Sequence, residues 1–276
     1  MKNILIRAIT GVVYVAVVLS GIFGGPYAFA GLFAVITALC LWEFYGLVDK
    51  IENVDVCRFF NVAGGVYFFL AAFLFSYKGV NFFIFLPYFG YVMLIFILEL
   101  YRKKENPLLN LAYSFLGQIY IVLPITLLNR VAFLPSGQEI MYNPHLILVS
   151  LFVFIWANDT GAYLIGVTFG KNRLFERISP KKSWEGFFGG MAFAILASLV
   201  FFHFCNGMNC IQWIELAVLV VIFATFGDLT ESLMKRTLNV KDSGKALPGH
   251  GGFLDRFDSM LFAIYALYFY AEVVLR

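Results

Sequence analysis

Apolar residues recur along this chain in unbroken runs of roughly 17 to 25, the length that carries a helix across the hydrocarbon core of a bilayer. The runs predict helices at about 6–23, 27–48, 59–77, 80–100, 108–128, 145–166, 186–204, 211–234 and 254–275. They are too long for the amphipathic elements of an ordinary soluble core. The expected fold is therefore all-α, a polytopic bundle of nine spans. The first run, Ala8 to Phe23, follows Lys2 and Arg7 as the core of a signal peptide would. The turn Gly24-Gly25-Pro26 leads straight into another span, so an uncleaved first helix is the reading. No Pro/Ser-rich linker or low-complexity tract interrupts the pattern. One membrane domain over 1–276 is expected, with N-terminal helices in 1–143 and the chemistry-bearing helices and loops in 144–276.

Composition agrees with the pattern: 61% of the 276 residues are apolar and 13% are charged. A net charge of +3 is too small to argue for a nucleic-acid partner. The placement of the charges is more telling, because cytosolic segments of membrane proteins are enriched in Lys and Arg. With a cytosolic N-terminus, the inner segments carry Lys2 and Arg7; Lys50 and Arg58; Arg102, Lys103 and Lys104; Lys171, Arg173, Arg177, Lys181 and Lys182; and Lys235, Arg236, Lys241 and Lys245. The outer segments hold Lys78, Arg130 and Arg276, and Arg256 sits at the cytosolic mouth of the ninth span. The expected orientation is N-terminus in, C-terminus out. Cys205 and Cys210 share one short outer segment where a disulfide is possible, and Cys40 and Cys57 are isolated. His145, His203 and His250 lie far apart, and none belongs to a paired-cysteine motif of the kind that binds zinc.

The orientation gives the acidic residues a depth. Asp159, Asp228, Asp255, Asp258, Glu43 and Glu99 all fall near the cytosolic ends of spans. Ionisable groups at such positions are functional candidates, although Glu43 and Glu99 read equally well as carboxylates reaching headgroup water. The stretch from Gly227 to Ser259 is the most polar part of the membrane half. On a continued eighth helix Asp228, Glu231, Ser232, Lys235 and Arg236 recur at spacings of three and four, which predicts one polar face pointing somewhere wet. Pro248, Gly249, Gly251 and Gly252 then break the helix. Bare backbone N–H groups there, with the positive N-terminus of the ninth helix, suit a phosphate. A nucleotide triphosphate needs cations, and magnesium binds through one or two carboxylates together with phosphate oxygens. Asp228 and Asp255 supply such a pair.

The same residues resemble a known signature. Ser232-Leu-Met-Lys235-Arg236, four residues, Lys241-Asp242-Ser-Gly244, two residues, Leu247-Pro248-Gly-His250-Gly251-Gly252-Phe253-Leu-Asp255-Arg256-Phe257-Asp258 is similar to the phosphatidate cytidylyltransferase pattern. Upstream, Asn158-Asp159-Thr160-Gly161-Ala162-Tyr163, Gly170-Lys171-Asn172 and Ser179-Pro180-Lys181-Lys182-Ser183-Trp184-Glu185-Gly186 look like the second motif region of that family. The resemblance implies transfer of CMP from CTP to phosphatidic acid, a magnesium-dependent site facing the cytosol of a bacterial inner membrane, and a homodimer. It makes Asp228 and Asp255 the metal ligands, with Asp258 assisting them or holding Arg256. It sets Lys235, Arg236 and Lys241 toward phosphates, and Asp159, Ser232, Gly251, Gly252 and Arg256 among the substrate contacts. His250 reads equally as a turn residue and as a proton carrier.

The loop 170–186 holds a basic cluster that by itself could enforce topology or attract anionic lipid. Ser179, Lys181, Lys182, Ser183 and Glu185, set immediately before a span, fit nucleotide binding better. Trp184 reads as an interfacial anchor, and Gly186, Gly189 and Gly190 as positions of close helix packing. A transporter would spread its carboxylates across membrane depth rather than gather them at one level. The Gly-x-x-x-x-Gly-Lys-Ser/Thr phosphate loop and the Asp-Gly…Ala-Arg run of CDP-alcohol phosphotransferases are both absent.

Overall fold

The computed structural model describes residues 2–133, 143–244 and 251–275. Ten helices follow in order: α1 (Lys2–Phe23), α2 (Pro26–Val48), α3 (Arg58–Lys78), α4 (Leu86–Arg102), α5 (Pro107–Gly117), α6 (Leu123–Ala132), α7 (Pro144–Phe169), α8 (Trp184–Phe204), α9 (Cys210–Thr237) and α10 (Leu254–Val273). A 3₁₀ turn at Phe82–Phe85 leads into α4, and a π turn at Gln118–Val122 joins α5 to α6. Among the described residues seven helical segments are long and apolar enough to cross a membrane: Pro26–Val48, Arg58–Lys78, Phe82–Arg102, Pro107–Ala132, Pro144–Phe169, Trp184–Phe204 and Cys210–Thr237. The protein is a multi-pass membrane protein, its helix surfaces carrying exposed residues such as Met93, Leu100, Phe188 and Phe204.

Local chemistry marks the helix ends. Prolines open α2, α4, α5 and α7, where a missing N–H costs nothing. Gly79 ends α3 in the left-handed conformation at φ 64°. Pro124 explains the π turn: it cannot donate to the carbonyl of Tyr120, and the Leu123 N–H bonds instead to the Gln118 carbonyl.

The described residues pack as two units, one of Met1–Pro135 with Leu238–Phe257, the other of Ser136–Thr237 with Asp258–Arg276. In the first, α2, α3, α4 and α5 share a buried hydrogen-bond network. Tyr45 donates to the Ser114 carbonyl at 2.8 Å, Asn61 Nδ2 to Ser114 Oγ at 2.9 Å, and Tyr91 to Asn61 Oδ1 at 3.0 Å. Gln118 Nε2 reaches the Asn61 carbonyl at 2.9 Å. Every helix there has an apolar exterior, so these polar contacts fix which faces meet. Glu99 is held by Arg102 at 2.7 Å and by Asn110 at 3.0 Å rather than reaching open water. Asp55, in the loop after α2, is held below the usual carboxylate range by Lys104 and Arg102.

In the second unit α7 and α8 run against each other at close range. A Cβ on Gly189 would lie 2.5 Å from Ile165, and one on Gly190 would collide with Asn158. Between the two helices stands an element absent from the sequence expectations, an antiparallel hairpin of β1 (Arg173–Phe175) and β2 (Ser179–Ser183). Cys205 and Cys210 are free thiols, so the possible disulfide is not formed.

Candidate active site

The second unit contains a cleft of about 230 Å³. Its walls come from Asn158, Asp159 and Tyr163 on α7, Leu174 on β1, Lys181 to Ser183 on β2, Phe187 on α8, Thr225 and Asp228 on α9, and Ser259 on α10. The hairpin therefore turns part of the basic loop into a cleft wall. Ser183 caps α8 by accepting the Gly186 N–H at 3.1 Å. Glu185 accepts the Lys171 N–H at 3.2 Å and Asn172 Nδ2 at 2.7 Å, so its carboxylate ties down the entry to the hairpin. Trp184 N–H bonds the Asn172 carbonyl at 2.9 Å, and its ring stacks on Phe188. Arg236, from α9, donates through Nε to the Ile178 carbonyl at 3.4 Å and so supports the hairpin tip.

The charges in the cleft are arranged around Asp228. Lys182 Nζ lies 2.5 Å from Asp228 Oδ2, and Ser232 Oγ lies 3.3 Å from Oδ1. Asp159 is exposed on the α7 wall, and so is Lys181 on β2. Ser179 begins β2 and is half-buried. Asp258 is buried next to Asp228 and hydrogen-bonded to Glu231. The close approach of α9 and α10 there depends on Gly227, whose added Cβ would lie 2.5 Å from the Asp258 carbonyl oxygen.

The polar face expected on α9 does not point uniformly to water. Glu231 is 0% exposed and Lys235 9%, and the Lys235 ammonium sits 2.5 Å from Glu231 Oε2. The physical reason is the i,i+4 spacing, which lets two opposite charges satisfy one another inside the protein, with Asp258 close by as a second carboxylate for Lys235. Asp228 and Ser232 remain half-buried, and the Arg236 side chain lies on the outer side. Sequence reasoning passed over two residues of this region. Glu231 lay on the noted face but was not singled out. Asn158, 7% exposed with an Oδ1 that lacks a hydrogen-bond partner among the described residues, lines the cleft beside Asp159.

The rest of the signature belongs to the first unit. Asp255, in the first turn of α10, accepts the Ser243 N–H at 3.0 Å and the Gly252 N–H at 2.7 Å. Gly251 has φ 82°, a conformation L side chains rarely adopt. Lys241 and Arg256 are exposed, whereas His250 lies outside the described residues. Among the described residues no three Asp, Glu, His or Cys side chains form a group that could hold a metal by themselves.

Several known proteins are similar to this chain. The phosphatidate cytidylyltransferase of Haemophilus influenzae is 40% identical over 177 residues, covering 62% of this chain and 60% of the relative. That of Staphylococcus aureus strain COL is 39% identical over 172 residues, 55% of this chain and 65% of the relative. A third, from Staphylococcus epidermidis, is 49% identical over 115 residues, 41% of this chain and 44% of the relative. The matched segments thus span less than two thirds of each relative. The sequence profile of one family covers nearly the whole chain, matching residues 5–274, and on that match the chain belongs to the cytidylyltransferase family.

Proposed function

We propose that this chain transfers a cytidylyl group from CTP to phosphatidate, giving CDP-diacylglycerol and pyrophosphate at the cytosolic face of the membrane. The observation that carries this reading is the cleft holding Asp228, Lys181 and Lys182 at the ends of apolar helices. The names of the relatives support the substrates. A phosphate oxygen of phosphatidate attacks the α-phosphorus of CTP and forms the new P–O bond. The bond from the α-phosphorus to the bridging oxygen breaks, and pyrophosphate departs with that electron pair. A phosphate monoester is already largely ionised near pH 7, so neither a protein nucleophile nor a strong base is required. The protein's share is alignment and neutralisation of charge.

Magnesium is part of the proposal, and the donor chemistry fits: Asp228 presents a half-exposed carboxylate to a polar cleft, the hard oxygen ligand that Mg²⁺ takes alongside phosphate oxygens. The residues that would hold it are Asp228 and Asp255, with Asp258 supporting Asp228. Bound there, it would neutralise charge on the triphosphate and on the departing pyrophosphate. Lys181 and Lys182 would bind the nucleotide phosphates, with Lys182 exchanging Asp228 for them. Ser179, Ser183, Ser232, Lys241 and Arg256 would add polar contacts to the two substrates. Glu185 would act through the hairpin and Arg236 through its tip.

Purified protein in mixed micelles, given α-labelled CTP, Mg²⁺ and phosphatidic acid, tests the reaction. Label appearing only with an ether-linked lipid phosphate as acceptor, or γ-labelled rather than α-labelled phosphate passing from CTP to a polyprenol, would overturn the choice of phosphatidate. Replacing Lys181 and Lys182 together by Ala should raise the KM for CTP about tenfold, the worth of about 1.4 kcal/mol, with kcat changed less. A shift confined to the phosphatidate dependence would assign the hairpin to the lipid phosphate instead.

The reading includes nine spans, the seven apolar segments with α1 and α10, N-terminus in the cytosol and C-terminus outside, and a homodimer as the working unit. Light scattering of the detergent complex reads the mass. For orientation, Cys205 and Cys210 are free and partly accessible. They should react with an impermeant maleimide added to sealed, right-side-out membranes without reductant, while Cys57 should not. Labelling of the outer pair only after lysis would reverse the topology.

A further inference from the structure

Glu43 lies on α2, some 200 residues from the signature segment, and it is bonded to that segment at both ends. Its Oε2 accepts the Ser243 hydroxyl at 3.0 Å and the Leu254 N–H, the first of α10, at 2.9 Å. An anion at that place faces the positive end of the helix. Asp255 closes the same segment from inside, accepting the Ser243 and Gly252 N–H groups. Two carboxylates therefore grip residues 243–244 and 252–254 together.

The glycines of the segment record this grip. A Cβ on Gly244 would lie 2.5 Å from Glu43 Oε1, 2.7 Å from its Cδ and 3.2 Å from its Cγ, and these are the three nearest atoms. Gly244 does not have a left-handed φ, so its backbone would accept a side chain. What excludes one is Glu43. Among the described residues Glu43 Oε1 is buried without a hydrogen-bond partner, a cost of desolvation that is sustained because the other oxygen is held by two donors. A Cβ on Gly252 would likewise run into Glu43 Oε2 and Ser243 Oγ.

We propose that Glu43 is a positioning residue of this enzyme: it locks Ser243 and the start of α10 together so that Asp255 is presented in one orientation, and glycine at 244 is the space this carboxylate requires. The structural clamp stands on contacts alone, whereas its effect on turnover rests on the function proposed above.

The test is a double-mutant cycle on the full chain with two readouts. Glu43→Ala should lower kcat by roughly 10- to 100-fold, the range found when residues that orient metal ligands are removed, with the KM for CTP within about twofold. Glu43→Gln, which keeps an acceptor oxygen for Leu254, should recover much of that loss. Gly244→Ala should lower kcat by about tenfold in the wild-type background and by less than about twofold in the Glu43→Ala background, because the obstacle has gone. Hydrogen exchange over residues 238–257, read without any substrate, should accelerate in Glu43→Ala and in Gly244→Ala. A cost of Gly244→Ala that is the same in both backgrounds would overturn the proposal, and so would unchanged exchange. If Glu43→Ala does not accumulate, exchange in Gly244→Ala decides alone. If the wild-type protein fails to label phosphatidate while the exchange result holds, the reaction assignment falls and the clamp stands.

Discussion

Asp228→Asn is expected to lower the rate of CDP-diacylglycerol formation by on the order of 10²–10³-fold or more, the scale seen when a group acting on developing charge is removed, while the protein stays inserted and folded. Asn has nearly the volume of Asp and can still accept the Ser232 hydroxyl, which lies 3.3 Å from Oδ1. What it cannot supply is the negative charge. Lys182, now 2.5 Å from Oδ2, would lose its partner, and the cleft would lose its half-exposed anionic oxygen ligand. Asp255→Asn should be similarly costly for a second reason as well, since its carboxylate also receives the Ser243 and Gly252 N–H groups. Initial rates across a series of Mg²⁺ concentrations, with helical content measured on the same preparations, check both. Near-normal rates for both variants at raised Mg²⁺ with unchanged maximal turnover would contradict the metal role.

The helices could be read in the sequence because the bilayer leaves a helix few alternatives: a segment without water must satisfy its own backbone. The nine predicted runs overlap helical segments of the structure, displaced by only a few residues at their ends. The π turn at Gln118–Val122 left no trace in the hydropathy, since it changes the hydrogen-bond count by one residue and not the polarity. The hairpin escaped for a different reason. Its strands are three and five residues long, Arg173–Phe175 and Ser179–Ser183, with no apolar alternation to mark them. It is tied to the helices by Glu185, Arg236 and the Trp184 N–H.

The candidate site was legible where residues cluster along the chain and illegible where they meet across it. Lys181, Lys182, Asp159 and Asp228 were all picked out by type and depth, and all four line one cleft. The link from Glu43 to Ser243 joins positions with no local pattern in common, and the crowding at Gly244 and Gly252 shows only once the chain is folded. The burial of Glu231 and Lys235 reversed an inference from helical spacing. Spacing assigns residues to a face, but which face meets water is decided by the neighbouring helix, and here α10 brings Asp258 to cover it.

That burial sets up the second large effect. Lys235→Met is expected to destabilise the protein by about 3–5 kcal/mol, the usual cost of removing one partner of a buried ion pair. Glu231, which is 0% exposed, would be left beside Asp258 without the ammonium that now faces both carboxylates. Glu231→Gln should cost much less, because Asp258 still offers Lys235 a carboxylate and the amide fills nearly the same volume. Adding Glu231→Gln to Lys235→Met should restore part of the lost stability, since the negative charge stranded by the loss of the ammonium is then removed. Thermal unfolding in a single detergent, followed by helical signal for all four proteins, reads the order. The opposite pattern is also informative: Lys235→Met with wild-type unfolding and a raised KM for CTP would mean that Lys235 leaves Glu231 to serve the phosphates directly. The observed 2.5 Å pairing favours stability as the quantity that moves.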